Sequence, residues 1–160
     1  MRHSLVAAVF VVGFVSGGWV TAQKQEPKNE PAERVTGIGG VFFKAKDPKG
    51  LALWYREKLG IVPMEGMGFA IFQWRDKDDT ASLGTTVWGL FRDDTKYFAP
   101  SDKPYMLNYR VRNLDRMLAQ LRTLGVTVSG KVEEDFNGKF ASVMDPEGNK
   151  IQLWEPKAGY

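Results

Sequence analysis

The 160-residue chain contains no cysteine and a single histidine, His3. Without cysteine there are no disulfides, zinc knuckles, iron–sulfur clusters or thiol nucleophiles. The scarcity of histidine excludes more. Imidazole is the commonest side chain for metal ligation and for base chemistry near neutral pH, and removal of the first few residues would leave none. An excess of one charge is missing too: 22 Lys and Arg face 19 Asp and Glu, a formal net charge of +3. That balance, without a concentrated basic run, argues against a nucleic-acid partner.

Only one long apolar run is present. Met1-Arg2-His3-Ser4 forms a short basic start, and Leu5 to Val15 follows without a charge. Val20-Thr21-Ala22 fits the small-x-small rule of signal peptidase, so residues 1–22 are expected to be a signal peptide leaving Gln23 first. The alternative is an uncleaved membrane anchor over residues 4–22, a stretch close to the ~20 residues that span a bilayer. Either reading makes the domain exported, periplasmic or secreted, and any membrane contact runs through this segment alone. Residues 23–34 (QKQEPKNEPAER) lack apolar periodicity and read as a solvated, disordered linker.

What remains, residues 35–156, is enough for one ordinary domain. Val35 to Lys46 alternates as a strand. Asp47 then caps a helix with Pro48 at its first position, Leu51, Trp54, Tyr55 and Leu59 make its apolar stripe, and Gly60 ends it. Ile61 to Glu65, Phe69 to Trp74 and Thr85 to Phe91 are expected strands. The order then recurs. Tyr105 to Arg112 reads as a strand, Asn113 as a cap, Leu114 to Leu124 as an apolar helical stripe, and Gly125 as its stop. Val126 to Glu133, Lys139 to Met144 and Lys150 to Trp154 complete the set. Leu59-Gly60-Ile61-Val62 has its counterpart in Leu124-Gly125-Val126-Thr127, and Asp47 in Asn113. The expected fold class is therefore α+β: two tandem βαβββ modules, about 35–98 and 104–156, forming an incomplete barrel around a cleft.

The duplicated order, IGGVFFKAKDP ahead of the WYREKLG helix end, and the closing MDPEGNKIQLWEP together resemble the vicinal oxygen chelate superfamily of glyoxalase I, bleomycin-resistance proteins and extradiol dioxygenases. The resemblance covers about Val35 to Pro156. It implies a ligand on the concave side of the paired modules. It also implies, in metal-using members, four His, Glu or Gln ligands from the first and last strands of each module. Carried onto this chain, those positions fall on Gly40, Trp88, Met106 and Gln152. Glycine and tryptophan supply no ligand, a thioether suits soft ions, and one amide does not hold a divalent ion alone. No metal and no cofactor are expected.

Strand parity offers a lining for the cleft: Phe42 and Lys44; Trp88 and Leu90; Met106, Asn108 and Arg110; Gln152 and Trp154. Val41, Phe43, Leu107, Val111, Ile151 and Leu153 face the helices instead, and Glu155 shares their side or lies at the rim. Apolar walls with a few convergent polar groups are the chemistry of a small-molecule pocket. The ligand-binding candidates are Phe42, Lys44, Trp88, Asn108, Arg110, Gln152 and Trp154, with Asn108 and Gln152 either touching ligand or bonding each other. The segment Asp93 to Pro104, carrying Tyr97 and Phe98, is placed to cover the cleft mouth. The function expected is an exported, metal-free small-molecule-binding protein of the glyoxalase/bleomycin-resistance type, its partner an aromatic or anionic small molecule. The alternatives are a glyoxalase-like lyase, isomerase or dioxygenase with a non-standard site, and a structural or dimerisation module without ligand; a homodimer is compatible with each. No catalytic residue is assigned.

Overall fold

The chain folds as short strands and two helices because turn and capping residues break it at short intervals. The computed structural model describes residues 31–75, 80–81 and 83–160. The readings of residues 1–22 and of most of the linker lie outside the described residues. β1 (Val35–Ala45), β2 (Phe69–Arg75), β3 (Leu83–Arg92), β4 (Tyr105–Val111), β5 (Val128–Asp135), β6 (Gly138–Met144) and β7 (Lys150–Pro156) form one mixed sheet in the order β2-β3-β1-β4-β7-β6-β5. β1 runs parallel to β3 and β4 runs parallel to β7, while β1 and β4 lie antiparallel at the centre. The sheet stays open, with β2 and β5 as its edges. The architecture is mixed α+β: one seven-stranded sheet with two helices.

Both helices form where their caps dictate. α1 (Pro48–Leu59) starts at Asp47, whose carboxylate accepts from Gly50 N at 3.0 Å, and stops at Gly60 in the left-handed region, φ 69°. α2 (Leu114–Thr123) starts at Asn113, whose Oδ1 accepts from Arg116 N at 2.9 Å. Glu155 Oε2 accepts from Leu114 N at 2.6 Å, so a strand residue supplies a second cap and faces the helix side as its parity requires. Leu114, Met117 and Leu118 of α2 are buried against Val111, Ala141, Val143 and Leu153. α1 packs less tightly, with no residue of its own fully buried. Leu51, Ala52 and Tyr55 sit on Ala70, Trp88 and Leu90, while Trp54 and Leu59 of the expected stripe are exposed.

Two sequence expectations need correction. Ile61 to Glu65 is not a strand. Pro63 has no N–H to give a ladder, and the chain instead closes a turn in which Met64 N donates to Phe69 O at 2.7 Å and Met67 N to Met64 O at 3.1 Å. The end of the linker is also held down. Glu33 exchanges bonds with the Gln120 side chain on α2, and Arg116 donates to Pro31 O at 2.9 Å. The compact unit accordingly begins at Pro31. Among the described residues no helix is long and apolar enough to cross a membrane.

Candidate functional site

The helices lie against one face of the sheet, and most of the side chains expected to line a cleft lie on the other. There Phe42 of β1 and Met106 of β4 stand opposite each other in register and are buried together with Phe98, which is 0 % exposed. Phe98 comes from the segment between β3 and β4. The Asp93 to Pro104 stretch was expected at the mouth of a cleft; its Phe98 goes further and is buried against Phe42 and Met106, while Tyr97 stays largely exposed. The Phe91 and Tyr97 rings stack at 5.3 Å and 4°, and Phe98 meets Phe91 edge-on at 5.3 Å. Lys44 lies 5.4 Å above the Phe98 ring and Lys150 lies 5.3 Å above that of Tyr97, each contributing a cation–π contact.

A polar chain crosses the centre of this face. Asn108 Nδ2 donates to Gln152 Oε1 at 2.8 Å, and Gln152 Nε2 donates to the Tyr97 hydroxyl at 2.8 Å. Of the two outcomes open for Asn108 and Gln152, the structure shows the mutual bond. Burial holds the Tyr97 phenol above its ordinary pKa against the opposing pull of the Gln152 bond. Asn108 Oδ1 is buried with no protein partner. It faces Gly39, where any Cβ would strike it, so the bulged β1 backbone approaches β4 closely only because that residue is glycine.

Arg110 follows Asn108 on β4 and is 8 % exposed. Its guanidinium carbon lies 4.8 Å from the ring centre of Trp154 and 5.6 Å from that of Trp74. These indoles come from β7 and β2, strands on either side of β4 in the sheet order. Trp74 reaches across Gly84 and Gly37, positions where a Cβ would crowd it. Trp154 in turn stacks on Phe140 at 5.8 Å and 4°. Arg110 Nη1 donates to Thr85 O and Oγ1, both at 3.3 Å, and Nη2 donates to the main-chain oxygen of Tyr160 at 2.8 Å. Burial lowers its pKa from the ordinary value.

The expected lining is thus met in part. Phe42, Lys44, Met106, Asn108, Arg110, Gln152 and Trp154 gather on the helix-free face or at its edge. Trp88 and Leu90 do not: they pack under α1, with Trp88 against Tyr55 at 4.7 Å. The reason is register. Gly40 pairs with Val87 and Phe42 with Gly89, so the odd-numbered residues of this stretch of β3 share the face of Gly40 and Phe42. Trp88, read as a family metal position, therefore faces α1, and Val87 and Gly89, which share the face of Gly40, carry no ligand atom.

This donor set does not fit a metal ion. Gly40, Met106 and either β3 residue offer no oxygen or nitrogen side chain, and both ends of the Gln152 amide are already engaged. Among the described residues no group of three or more His, Cys, Asp or Glu side chains could hold one. A catalytic zinc would need about three protein ligands.

Space remains beside Gln152. A cleft of about 300 Å³ lies over β5, β6 and β7, closed on one side by Ala99 and Pro100. Ser142 and Phe140 stand opposite Gln152 and Trp154 in the β6–β7 ladder and so share their face. Ser129 and Lys150 supply a hydroxyl and an ammonium. Ser129, Phe140, Ser142, Trp74 and Thr85 were all missed from the sequence. The tight turn at Asp145 to Asn149 was the available signal for Phe140 and Ser142, because a hairpin fixes which residues of β6 oppose Gln152 and Trp154.

Comparison with known proteins agrees with this geometry. Residues 40–154 match the family described as Glyoxalase-like domain. Among solved structures, a variant of the Streptomyces coelicolor methylmalonyl-CoA epimerase in complex with 2-nitronate-propionyl-CoA superposes with a TM-score of 0.55 at 18 % identity, over 76 % of this chain and 97 % of that one. An extradiol ring-cleaving dioxygenase from B. fuscum gives 0.51 at 16 % identity, over 80 % of this chain and 34 % of that one. A search of curated proteins gave no match. At these identities the structures speak to the fold, whereas the family match spans most of the chain. The chain belongs to the glyoxalase-like domain family of the vicinal oxygen chelate superfamily.

Proposed function

We propose that this protein binds a small molecule without a metal ion, in the cleft between the β5–β6–β7 face and the segment carrying Phe98. In this reading the two halves of the sheet are copies of one βαβββ unit, the first having lost its second strand, and they curve together as an incomplete barrel. The domain works outside the cytoplasm, delivered by residues 1–22. The observation that carries the reading is the fate of Gln152. It is the one ligand-capable side chain at the family's metal positions, and its amide is spent on Asn108 and Tyr97. What the face offers instead is the Phe140 ring, two serine hydroxyls and the Lys150 ammonium around about 300 Å³. That combination suits a compact ligand with an aromatic part and a few polar groups.

Lys150 Nζ donates to Tyr97 O at 2.6 Å, tying the cleft floor to its lid segment, and burial lowers the lysine's pKa. The test is a fluorescence screen of small aromatic compounds, with Trp154 reporting through its stack on Phe140. Saturable quenching is expected for some of them. Ser142→Phe, which fills the cleft, should abolish it. A folded protein whose tryptophans respond to nothing, or whose response survives Ser142→Phe, overturns the proposal.

A further inference from the structure

Counted outward from its central β1–β4 pair, the sheet is one strand short on one side. β1 meets a parallel strand, β3, and then an antiparallel one, β2; β4 meets β7 and β6 in the same senses. Beyond β6 lies β5, antiparallel to it, whereas among the described residues no strand lies beyond β2. The two edges also differ in kind. β5 carries Lys131, Glu133, Glu134 and Asp135, its ladder with β6 is interrupted between Ser129 and Glu133, and Gly130 sits at φ 72°. Charges and bulges of this sort keep an edge from pairing with another chain. β2 (FAIFQWR) has no charge before Arg75, no proline and an unbroken register with β3. Its neighbours Ile71 and Phe72, which point to opposite faces, are 45 % and 46 % exposed. The register also fixes where the main-chain groups go. Leu90 N donates to Gly68 O, so Gly68 and Leu90 are a hydrogen-bonded pair. Such pairs alternate in an antiparallel ladder. Ala70, Phe72 and Trp74 therefore bond β3, while Phe69, Ile71, Gln73 and Arg75 turn their N–H and C=O groups outwards. Phe69 O is taken by Met64 N at 2.7 Å; among the described residues no main-chain group of another element meets Ile71, Gln73 or Arg75.

We propose that the β2 edge is a homodimer interface, in which the stretch from Ile71 to Arg75 pairs antiparallel with the same stretch of a second copy, about Gln73, and joins two sheets into one. The interface is independent of the Gln152 cleft and stands or falls separately. A second copy is chosen because the vacant place calls for an antiparallel strand, as β5 is to β6, and a twofold axis across the edge sets a strand antiparallel to itself. The stretch is also self-complementary. Pairing about Gln73 uses every outward main-chain group that lacks a partner, setting Ile71 opposite Arg75 and Gln73 opposite Gln73. It places Phe72 opposite Trp74 on both sides of the axis, in the closer, non-hydrogen-bonded positions where aromatic cross-strand pairs stabilise most. The one charge, Arg75, meets an isoleucine. About five residues a side make a small interface, so association is expected in the micromolar range.

The experiment follows the mass of the full chain by sedimentation across a range of concentrations. Because the chain has no cysteine, single cysteines then serve as rulers. A concentration-dependent monomer–dimer equilibrium is expected. Gln73→Cys should link two copies under mild oxidation, since directly paired residues lie about 5.5 Å apart at Cα, within disulfide reach. Ile71→Cys should not, because this register holds the two copies of position 71 roughly 13 Å apart or more. Gln73→Pro removes an outward N–H and leaves the β3 ladder whole, so it should fold and weaken the dimer by about tenfold or more. Gln73→Lys, which sets two ammonium groups face to face, should weaken it as well and serves if the proline variant does not fold. A chain still monomeric at about 1 mM overturns the proposal and leaves the edge to an extended segment of a different protein. A dimer that Gln73→Lys leaves intact overturns it too, as does linkage through Ile71→Cys in preference to Gln73→Cys.

Discussion

At the scale of single residues, the most informative side chain outside the site is Glu155. Leu114 is fully buried, and its N–H at the start of α2 has Glu155 Oε2 as acceptor. A carboxylate at a helix N-terminus meets both an orphan donor and the positive end of the dipole. Glu155→Gln keeps an acceptor and should cost about 1 kcal/mol, whereas Glu155→Ala leaves the donor unpaired and should cost about 2 kcal/mol; urea unfolding measures both. Tyr97 gives a pH prediction. Its pKa is raised in the folded protein, so the stabilisation it reports is fully present below the pKa of an unfolded tyrosine, about 10, and is lost as pH rises through the higher folded value. Stability should therefore fall in that alkaline window more steeply than for Tyr97→Phe, and ultraviolet titration should show one tyrosine ionising late. Strand parity made most such residues legible in the sequence. Phe42, Met106, Asn108, Arg110, Gln152 and Trp154 are where alternation puts them. Trp88 is not, because the face each residue of β3 takes is fixed by its pairing with β1, Gly40 to Val87 and Phe42 to Gly89, a long-range register that alternation within one strand does not give.

At the scale of elements, local signals worked wherever a cap or turn residue carried them and failed where tertiary contacts decide. Asp47, Asn113 and Gly60 mark helix ends that the structure keeps. The turn at Asp145 to Asn149 is held by Asp145, which accepts from Glu147 N, Asn149 N and Asn149 Nδ2 at 2.9, 2.8 and 2.7 Å. Ile61 to Glu65 looked like a strand by its apolar content but offers too few donors next to Pro63. The Phe98 segment had no periodicity to read at all. Its position depends on a slot opened by Phe42, Phe91 and Met106, three residues scattered over three strands. Phe98→Ala should therefore destabilise by about 3–5 kcal/mol, the range for removing a buried ring. It should also open the helix-free face, seen as new binding of a hydrophobic dye to a still folded protein. An unchanged unfolding midpoint would mean that the segment merely rests on the sheet.

At the scale of the whole molecule, the fold and its metal chemistry separate. The superfamily resemblance predicts four ligand positions facing a cleft; in this chain Trp88 turns towards α1, and the other three are closely packed as well as chemically unsuited. A Cβ at Gly40 would run into the Phe42 ring and crowd Asn108, Met106 is sealed beneath Phe98, and Gln152 is bonded at both ends. Putting a histidine at position 40 would thus add strain before it added a ligand, and one new ligand beside an occupied amide stays below the number a divalent ion needs. The consequence is measurable without knowing any substrate. An ion that binds only the folded state at a hundred times its dissociation constant raises stability by about 2.7 kcal/mol. Zinc, nickel, manganese and ferrous iron should each leave the melting midpoint of the purified protein where a chelator leaves it, and Gly40→His should lower that midpoint with or without metal. A midpoint that climbs with one of these ions, and falls back on chelation, would show that ligands are recruited from elsewhere on the chain and would return the protein to the metal-dependent side of its superfamily.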